Sequence, residues 1–332
     1  MGRDLAIDLG TANTLVWLRG RGVILEEPTV IAVDQRNGAV LAMGRDAYAM
    51  IGRTPGHVTA ERPLRGGAVT DYETTARLLK LLLQRVGVTR LSRPKVLICV
   101  PSAITDVERR AVQEAALQAG AGQAFLLEEP MAAAIGAGLP VQEPMGSMIV
   151  DVGGGTSEVA VVSLGGVVAC TAIRVGGFDL DAAVANHVRK EYAITIGERT
   201  AEDLKLAIGS AYPAVDEPSA EVRGRELSTG MPRTITMSAG ELREALSDHV
   251  GAIVDAVMRT LSDCPPELTQ DILRTGMYLV GGGALLRGLD ARIAHETQVA
   301  VNQIDQPLRA VVTGAGQTLE EHADLKALFA SR

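Results

Sequence analysis

Two α/β domains facing one cleft are the fold class this sequence predicts, on three observations. The first is a short apolar run that stops at a carboxylate and turns on glycine: Met148-Ile149-Val150, then Asp151, then Gly153-Gly154-Gly155-Thr156. Apolar, β-branched residues suit a buried strand. Consecutive glycines let the backbone take φ > 0 and approach a ligand with no Cβ in the way. Backbone N–H groups in such a turn form a concave anion site. An Asp at its mouth repels phosphates unless a hard cation such as Mg²⁺ lies between them. A tight β-hairpin with an exposed Asp is the competing reading of this stretch alone.

The second observation is a repeat. Leu5-Ala6-Ile7-Asp8-Leu9-Gly10-Thr11-Ala12-Asn13-Thr14 has the same layout, and Gly10 and Gly153 keep the offset of Asp8 and Asp151. Each copy runs into a second apolar strand, residues 15–18 and 159–162, as a hairpin does. The third observation is another glycine turn, Gly281-Gly282-Gly283-Ala284-Leu285, which follows the apolar run Tyr278-Leu279-Val280 and is expected to open a helix. Two related half-chains, each offering a carboxylate hairpin to one cleft, suit a nucleotide clamped between domains.

Composition bounds the alternatives. A chain of 332 residues with 47% hydrophobic residues holds about two domains with sizeable cores. A net charge of −8 argues against general nucleic-acid binding, and 3% aromatic residues argue against a base-stacking platform. Cys99, Cys170 and Cys264 are odd in number and widely spaced, reading as reduced, packed thiols of a cytosolic protein. The chain has no 18-residue apolar stretch, HExxH motif or P-loop, and with residues 1–4 leading directly into the first strand no signal peptide is expected.

After the first hairpin, residues 22–26 and 29–33 read as strands and Asn37-Gly38 as a hairpin turn. Residues 46–52 are a short helix, and 54–68, rich in Gly and Pro, an irregular connection. Leucines at helical spacing predict a helix over 71–86. In the loop 87–93, Val88 and Leu91 sit among Arg90, Arg93 and Lys95. Apolar residues ringed by cations dip into an anionic bilayer surface; the bland reading is a leucine tucked onto its own domain.

Residues 96–100 read as a strand. Thr105 with Glu108 makes a capping box for a helix over 106–119, closed by Gly120. The strand 124–127 leads into Glu128-Glu129-Pro130 and a helix through 137. That junction is where an α/β protein exposes functional groups to its cleft. Glu129 is placed to orient water there, or is simply an acid favoured at a helix start.

Residues 138–146 form a Pro/Gly-rich hinge. Beyond the second glycine turn, Gly176-Gly177-Phe178-Asp179 precedes a helix over 180–192. Helix 200–208 is expected to start on Thr200 and to carry Glu202 and Lys205 on one face. These two form a surface ion pair or hydrogen-bond a ribose and base. Residues 222–227 and 234–237 read as a small antiparallel insertion. Ser238 caps a long helix ended at Cys264-Pro265-Pro266. Residues 299–301 and 310–312 are expected as strands, and 314–329 as the closing helix.

The stretches IDLGTANT, VPSAITDVERRAVQEAALQAGA, LLEEPMAAAIGAGLPV, GSMIVDVGGGTSEVAVVSLGG and LVGGGALL together resemble the MreB family of bacterial actins, which direct rod shape. The resemblance covers almost the whole chain. Residues 101–166 carry more of it than the phosphate loops, which the actin, sugar-kinase and heat-shock-chaperone superfamily shares. It implies an actin-like fold of two RNase-H-like lobes with inserted subdomains. Subdomain IA would be 1–31, 64–139 and 310–332, IB 32–63, IIA 140–175 and 246–309, and IIB 176–245.

It further implies ATP and Mg²⁺ in the cleft, with Asp8 and Asp151 on the metal side, acting mainly through bound waters. Thr11, Ala12, Asn13 and Thr14, and Gly153, Gly154, Gly155 and Thr156, match the phosphate loops. Glu202 and Lys205 match the nucleoside-contacting pair, and Gly281, Gly282, Gly283, Ala284 and Leu285 the adenine-side loop. Glu129 matches the residue that positions the attacking water, and Thr156 is associated with that step. The resemblance also implies slow ATP hydrolysis timing a head-to-tail polymer, with protofilaments paired antiparallel on the anionic inner membrane face and partnered by the cell-wall elongation machinery. Localisation is then cytoplasmic and membrane-associated.

The amphipathic N-terminal helix of many relatives is not expected here, which leaves membrane attachment to Val88, Arg90, Leu91 and Arg93. Residues 299–313 depart from the family's wording. A small-molecule kinase of the superfamily would need a second-substrate pocket with a catalytic Asp, for which no residue stands out. A chaperone ATPase would need a peptide-binding domain beyond Arg332. A divergent paralogue that binds ATP but does not polymerise is a third alternative.

Overall fold

The computed structural model describes residues 4–64, 72–88 and 92–321. Its first sheet starts with an antiparallel hairpin, β1 (Leu5–Leu9) and β2 (Asn13–Leu18), extended by β3 (Gly22–Pro28). The chain then builds a smaller sheet from β4 (Ile31–Asp34), β5 (Ala39–Met43) and β6 (Val58–Glu61), with helix α1 (Arg45–Met50) against it. It returns through α2 (Tyr72–Arg85), β7 (Lys95–Val100), α3 (Asp106–Ala119) and β8 (Gln123–Glu128). The large sheet has the order β3-β2-β1-β7-β8, with β7 parallel to β1 and β8 parallel to β7. Helix α4 (Glu129–Gly136) completes this lobe.

The second lobe repeats the plan. Strands β9 (Ser147–Val152), β10 (Ser157–Ser163) and β11 (Gly166–Ile173) form the antiparallel half. A long insertion follows: α5 (Gly177–Tyr192), β12 (Ile194–Thr195), α6 (Glu198–Ile208), β13 (Ser219–Glu226), β14 (Pro232–Ser238), α7 (Ala239–Asp263) and α8 (Pro266–Thr275). Strands β12, β13 and β14 make a second small sheet. The chain re-enters the large sheet as β15 (Met277–Val280), runs through α9 (Leu289–Thr297) and β16 (Val301–Gln303), and crosses back as α10 (Ala310–Glu321). The order β11-β10-β9-β15-β16 matches the first sheet strand for strand. The repeated hairpins of the sequence are thus equivalent elements of two equivalent sheets.

Local chemistry explains the boundaries. Every residue of β9 and β10 is buried, so those strands read as continuous apolar runs and not as alternating ones. Thr105 and Glu108 form the reciprocal capping box, and Gly120 ends α3 in the left-handed region at φ 118°. Ser238 caps α7 through the Glu241 N–H at 3.2 Å.

Elsewhere the tertiary structure overrides the expectation. Residues 54–68 are not wholly irregular, because β6 lies within them and pairs with β4. Residues 310–312 are the first turn of α10 and not a strand; all three are buried, Ala310 and Val311 in the core between the lobes, so a buried helix read as a buried strand. Helix α6 starts at Glu198 after Gly197, which leaves Thr200 inside the helix. The third glycine turn opens one 3₁₀ turn, Gly282–Leu285, ahead of the α-helix.

Each lobe has its own core, and a third core joins them. It combines Ala6, Leu97 and Cys99 of the first sheet with Ile149, Ala160 and Val280 of the second, sealed by α4 and α10. The helices meet on small residues. A Cβ on Gly136 would overlap the Ala310 carbonyl, and one on Gly314 would overlap the Ala132 carbonyl. Gly314→Val is therefore expected to destabilise the protein by about 3 kcal/mol, measurable as a lowered urea midpoint.

Candidate functional site

The equivalent hairpins deliver their carboxylates to one place. Asp8 lies near the end of β1, opposite Leu15 of β2 and beside Cys99 of β7. Asp151 lies near the end of β9, between Glu158 of β10 and Val280 of β15. Both side chains face a cleft of about 310 Å³ between the lobes. Its walls include Gly10, Thr11, Ala12 and Asn13 from the first turn and Gly153, Gly154 and Thr156 from the second. Glu129, Glu202, Lys205, Gly281, Gly282, Gly283 and Leu285 also line it.

The glycine turns are in contact, which explains their composition. A Cβ on Gly154 would come within 2.5 Å of the Ala12 Cβ across the cleft. Gly281, at φ 80°, lies so close to Asp151 that a side chain there would strike its carboxylate. The second turn is closed by the Gly153 N–H donating to the Thr156 carbonyl at 2.8 Å. It is tied to the start of α5 by the Gly177 and Phe178 N–H groups, which donate to the Gly153 and Gly154 carbonyls at 3.0 and 2.8 Å.

Electrostatics single out the same residues. Asp8 and Asp151 are 9% and 8% exposed. Burial pushes each up to about 7, and the charge of Asp8 adds to the effect on Asp151. Burial, then the charges of Glu158, Asp8 and Asp151, pushes Glu129 well above the usual carboxylate range. A crowd of carboxylates held this way is short of positive charge. Among the described residues, no cluster of three or more His, Cys, Asp or Glu side chains makes a protein-only metal cage. Two acids beside a glycine cradle suit Mg²⁺, which takes one or two carboxylates and fills its sphere with water and phosphate oxygens.

The raised values have a consequence for the ligand-free protein. Asp8 and Asp151 keep their protons in the folded state between about pH 4 and 7, while the unfolded chain loses them. Their contribution to stability is therefore full below pH 4 and is lost as pH rises through about 7. Thermal unfolding without nucleotide should show a smaller fall in midpoint between pH 5 and 7.5 in Asp8→Asn/Asp151→Asn than in the wild type.

At Glu202 and Lys205, which line the cleft, the partners differ from a plain surface pair. Lys205 does not bridge to Glu202; it pairs with the buried Asp181 at 2.8 Å and donates to the Gly177 carbonyl at 3.1 Å. Burial raises Asp181 to about 6 even against the Lys205 charge. Glu202 accepts from the Tyr48 hydroxyl of the opposite lobe at 2.5 Å. Asp181, Phe178 and Leu286 line the cleft and were not singled out from the sequence. No spacing rule connects Asp181 to Lys205, since they sit on different helices.

Three expected residues lie outside the cleft lining: Thr14, Gly155 and Ala284. Thr14 is buried and hydrogen-bonded to the Thr29 hydroxyl at 2.8 Å, which fixes the first turn from behind. In the loop 87–93, Val88 packs against the first lobe's own core and Arg93 has φ 34°. Arg90 and Leu91 lie outside the described residues.

The family model for MreB/Mbl protein matches residues 2–327. The cell shape-determining protein MreB of Escherichia coli (strain K12) is 51% identical over 323 residues, spanning 96% of this chain and 93% of that protein. The crystal structure of MreB5 of Spiroplasma citri bound to ADP superposes with a TM-score of 0.91 at 35% identity, covering 95% of each chain. Its AMPPNP-bound form gives 0.91 at 34% identity, covering 98% of this chain and 97% of that one. The MamK double helical filament shares the fold at a TM-score of 0.79 and 19% identity, covering 96% of this chain and 99% of that one.

Proposed function

The chain belongs to the MreB/Mbl family, and from that premise we propose that it is an ATP-driven, filament-forming actin homologue that hydrolyses ATP slowly as the timer of its polymer. The observation that carries the reading is the convergence of Asp8, Asp151, Glu129 and three glycine turns on one cleft between equivalent lobes. ADP and AMPPNP bound to MreB5 support the nucleotide assignment.

In this reading the turns at 10–14 and 153–156 grip the phosphates through backbone N–H groups. Asp8 and Asp151 would hold Mg²⁺, and the cation would supply charge neutralisation for phosphoryl transfer. Glu129 orients the attacking water, with Thr156 beside it. Lys205, braced by Asp181, and Glu202 face the nucleoside, with Gly281, Gly282, Gly283 and Leu285 on the base side. The two equivalent lobes correspond to subdomains IA with IB and IIA with IIB, at the bounds given above. A nucleotide held by both lobes biases the angle between them, and a head-to-tail contact repeated without closure gives an open filament.

The filaments are proposed to pair antiparallel and lie on the anionic inner membrane face, attached weakly through the loop at Val88, Arg90, Leu91 and Arg93. There they would organise cell-wall synthesis with the elongation machinery. No described helix is long and apolar enough to cross a membrane. Electron microscopy with Mg²⁺-ATP on anionic vesicles, beside a lipid-free control, tests this. Paired filaments on lipid are expected, and Arg90→Glu/Arg93→Glu should reduce them. Nucleotide binding without filaments on either sample would leave a non-polymerising scaffold.

A further inference from the structure

The lobes share a core at their base, where α4 and α10 pack. Elsewhere the segments inserted in the two lobes touch through side chains of α1, the residue after β6, α5 and α6 that the nucleotide-binding role leaves unexplained. Arg62, just past β6, pairs with Glu198 of α6 at 3.0 Å through both Nε and Nη2. Its guanidinium also stacks over the Phe178 ring at 4.1 Å, and its side chain is only 14% exposed. Tyr48 of α1 donates its hydroxyl to Glu202, and Arg199 lies over the Tyr48 ring at 5.0 Å. Phe178 and Glu202 are at the same time walls of the cleft.

We propose that Tyr48 and Arg62 are positioning residues: they hold Glu202, Glu198 and Phe178 from the opposite lobe, close the nucleoside side of the cleft, and set the rate at which nucleotide leaves. The proposal rests on the nucleotide reading above. Opening the cleft about the shared core separates α1 and Arg62 from α5 and α6, so release requires these contacts to break. A phenol donating to a carboxylate is a strong contact when partly withdrawn from water, whereas Glu198 is 46% exposed, so Arg62 is held as much by stacking on Phe178 as by its ion pair. Burial, reinforced by the bond to Glu202, raises Tyr48 to about 12, so its hydroxyl stays protonated and donating at neutral pH. The arrangement also couples the two functions of Glu202, since its orientation toward a nucleoside is fixed only while Tyr48 is in place.

The test is stopped-flow release of N-methylanthraniloyl-ADP with Mg²⁺ from the full chain, chased with excess ADP. Tyr48→Phe should release about ten-fold faster, the size expected for loss of one hydrogen bond to a charged group, and Arg62→Gln, which loses the ion pair and the ring stack, should be at least as fast. Their melting midpoints without nucleotide should stay near wild type. The exchange Arg62→Glu/Glu198→Arg should return the rate most of the way to wild type, which general loosening of the fold would not do. Release within two-fold of wild type in both single variants overturns the proposal while leaving the nucleotide site intact. Faster release with no recovery in the exchange overturns the part assigned to the ion pair. A wild-type protein that takes up no analogue overturns this proposal and the nucleotide reading together.

Discussion

Glu129→Ala is expected to slow ATP hydrolysis by about 100-fold while leaving ATP affinity within a few-fold of wild type. The side chain is delivered by a strand-to-helix junction: β8 ends at Glu128, and Glu129 opens α4 with Pro130 behind it. Pro suits an early helical position because its missing N–H is not needed there. The neighbouring Glu128 is turned aside by Arg109, which pairs with it at 2.9 Å, so the two adjacent acids have different work. Glu129 lines the cleft with Asp8 and Asp151, whose charges help to raise it. A carboxyl that keeps its proton cannot take one from the attacking water, so the hydrolysis rate should climb with pH as that proton is lost. Glu129→Gln keeps the shape and one acceptor but takes up no proton, and should fall between wild type and Ala. Single-turnover hydrolysis measures all three, and wild-type turnover in Glu129→Ala would remove the residue from the mechanism.

Asp151→Ala should act in two opposite directions. Mg²⁺-dependent ATP affinity should fall by about 10- to 100-fold, the usual cost of removing a partner that orients a metal's ligands. The nucleotide-free protein should melt no lower than wild type at pH 7.5, and higher if the cavity collapses. The reason is that Asp151 is 8% exposed and held up to about 7 by burial and by Asp8, so its ionised form is a liability until a cation arrives. Titration calorimetry and thermal unfolding on the same samples separate the two effects. Unchanged Mg²⁺-ATP affinity would show that the carboxylate is structural and that the phosphate turns bind without it.

Much of this molecule was legible in one dimension because its signals are local. The hairpins at Asp8 and Asp151, the capping box at Thr105 and Glu108, and the break at Pro265-Pro266 each depend on residues within a few positions of one another. The internal repeat extended that reach, because equal spacing in two half-chains implies two equivalent sheets, and the strand orders agree. The resemblance carried by the stretches at 101–166 and the glycine turns supplied the roles proposed for Glu129, Glu202 and Lys205.

What the sequence determined by itself was therefore the strand–carboxylate–glycine units and their duplication, since a chain cannot hide its own short-range patterning. Only the tertiary structure decided which side chains meet across the cleft. Asp181 reaches Lys205 from a neighbouring helix, Tyr48 reaches Glu202 from the other lobe, and Ala310 begins a helix because its face is buried between lobes. Those pairings have no sequence spacing of their own; they exist because two folded bodies close on a shared core, and burial then selects which charges must find one another.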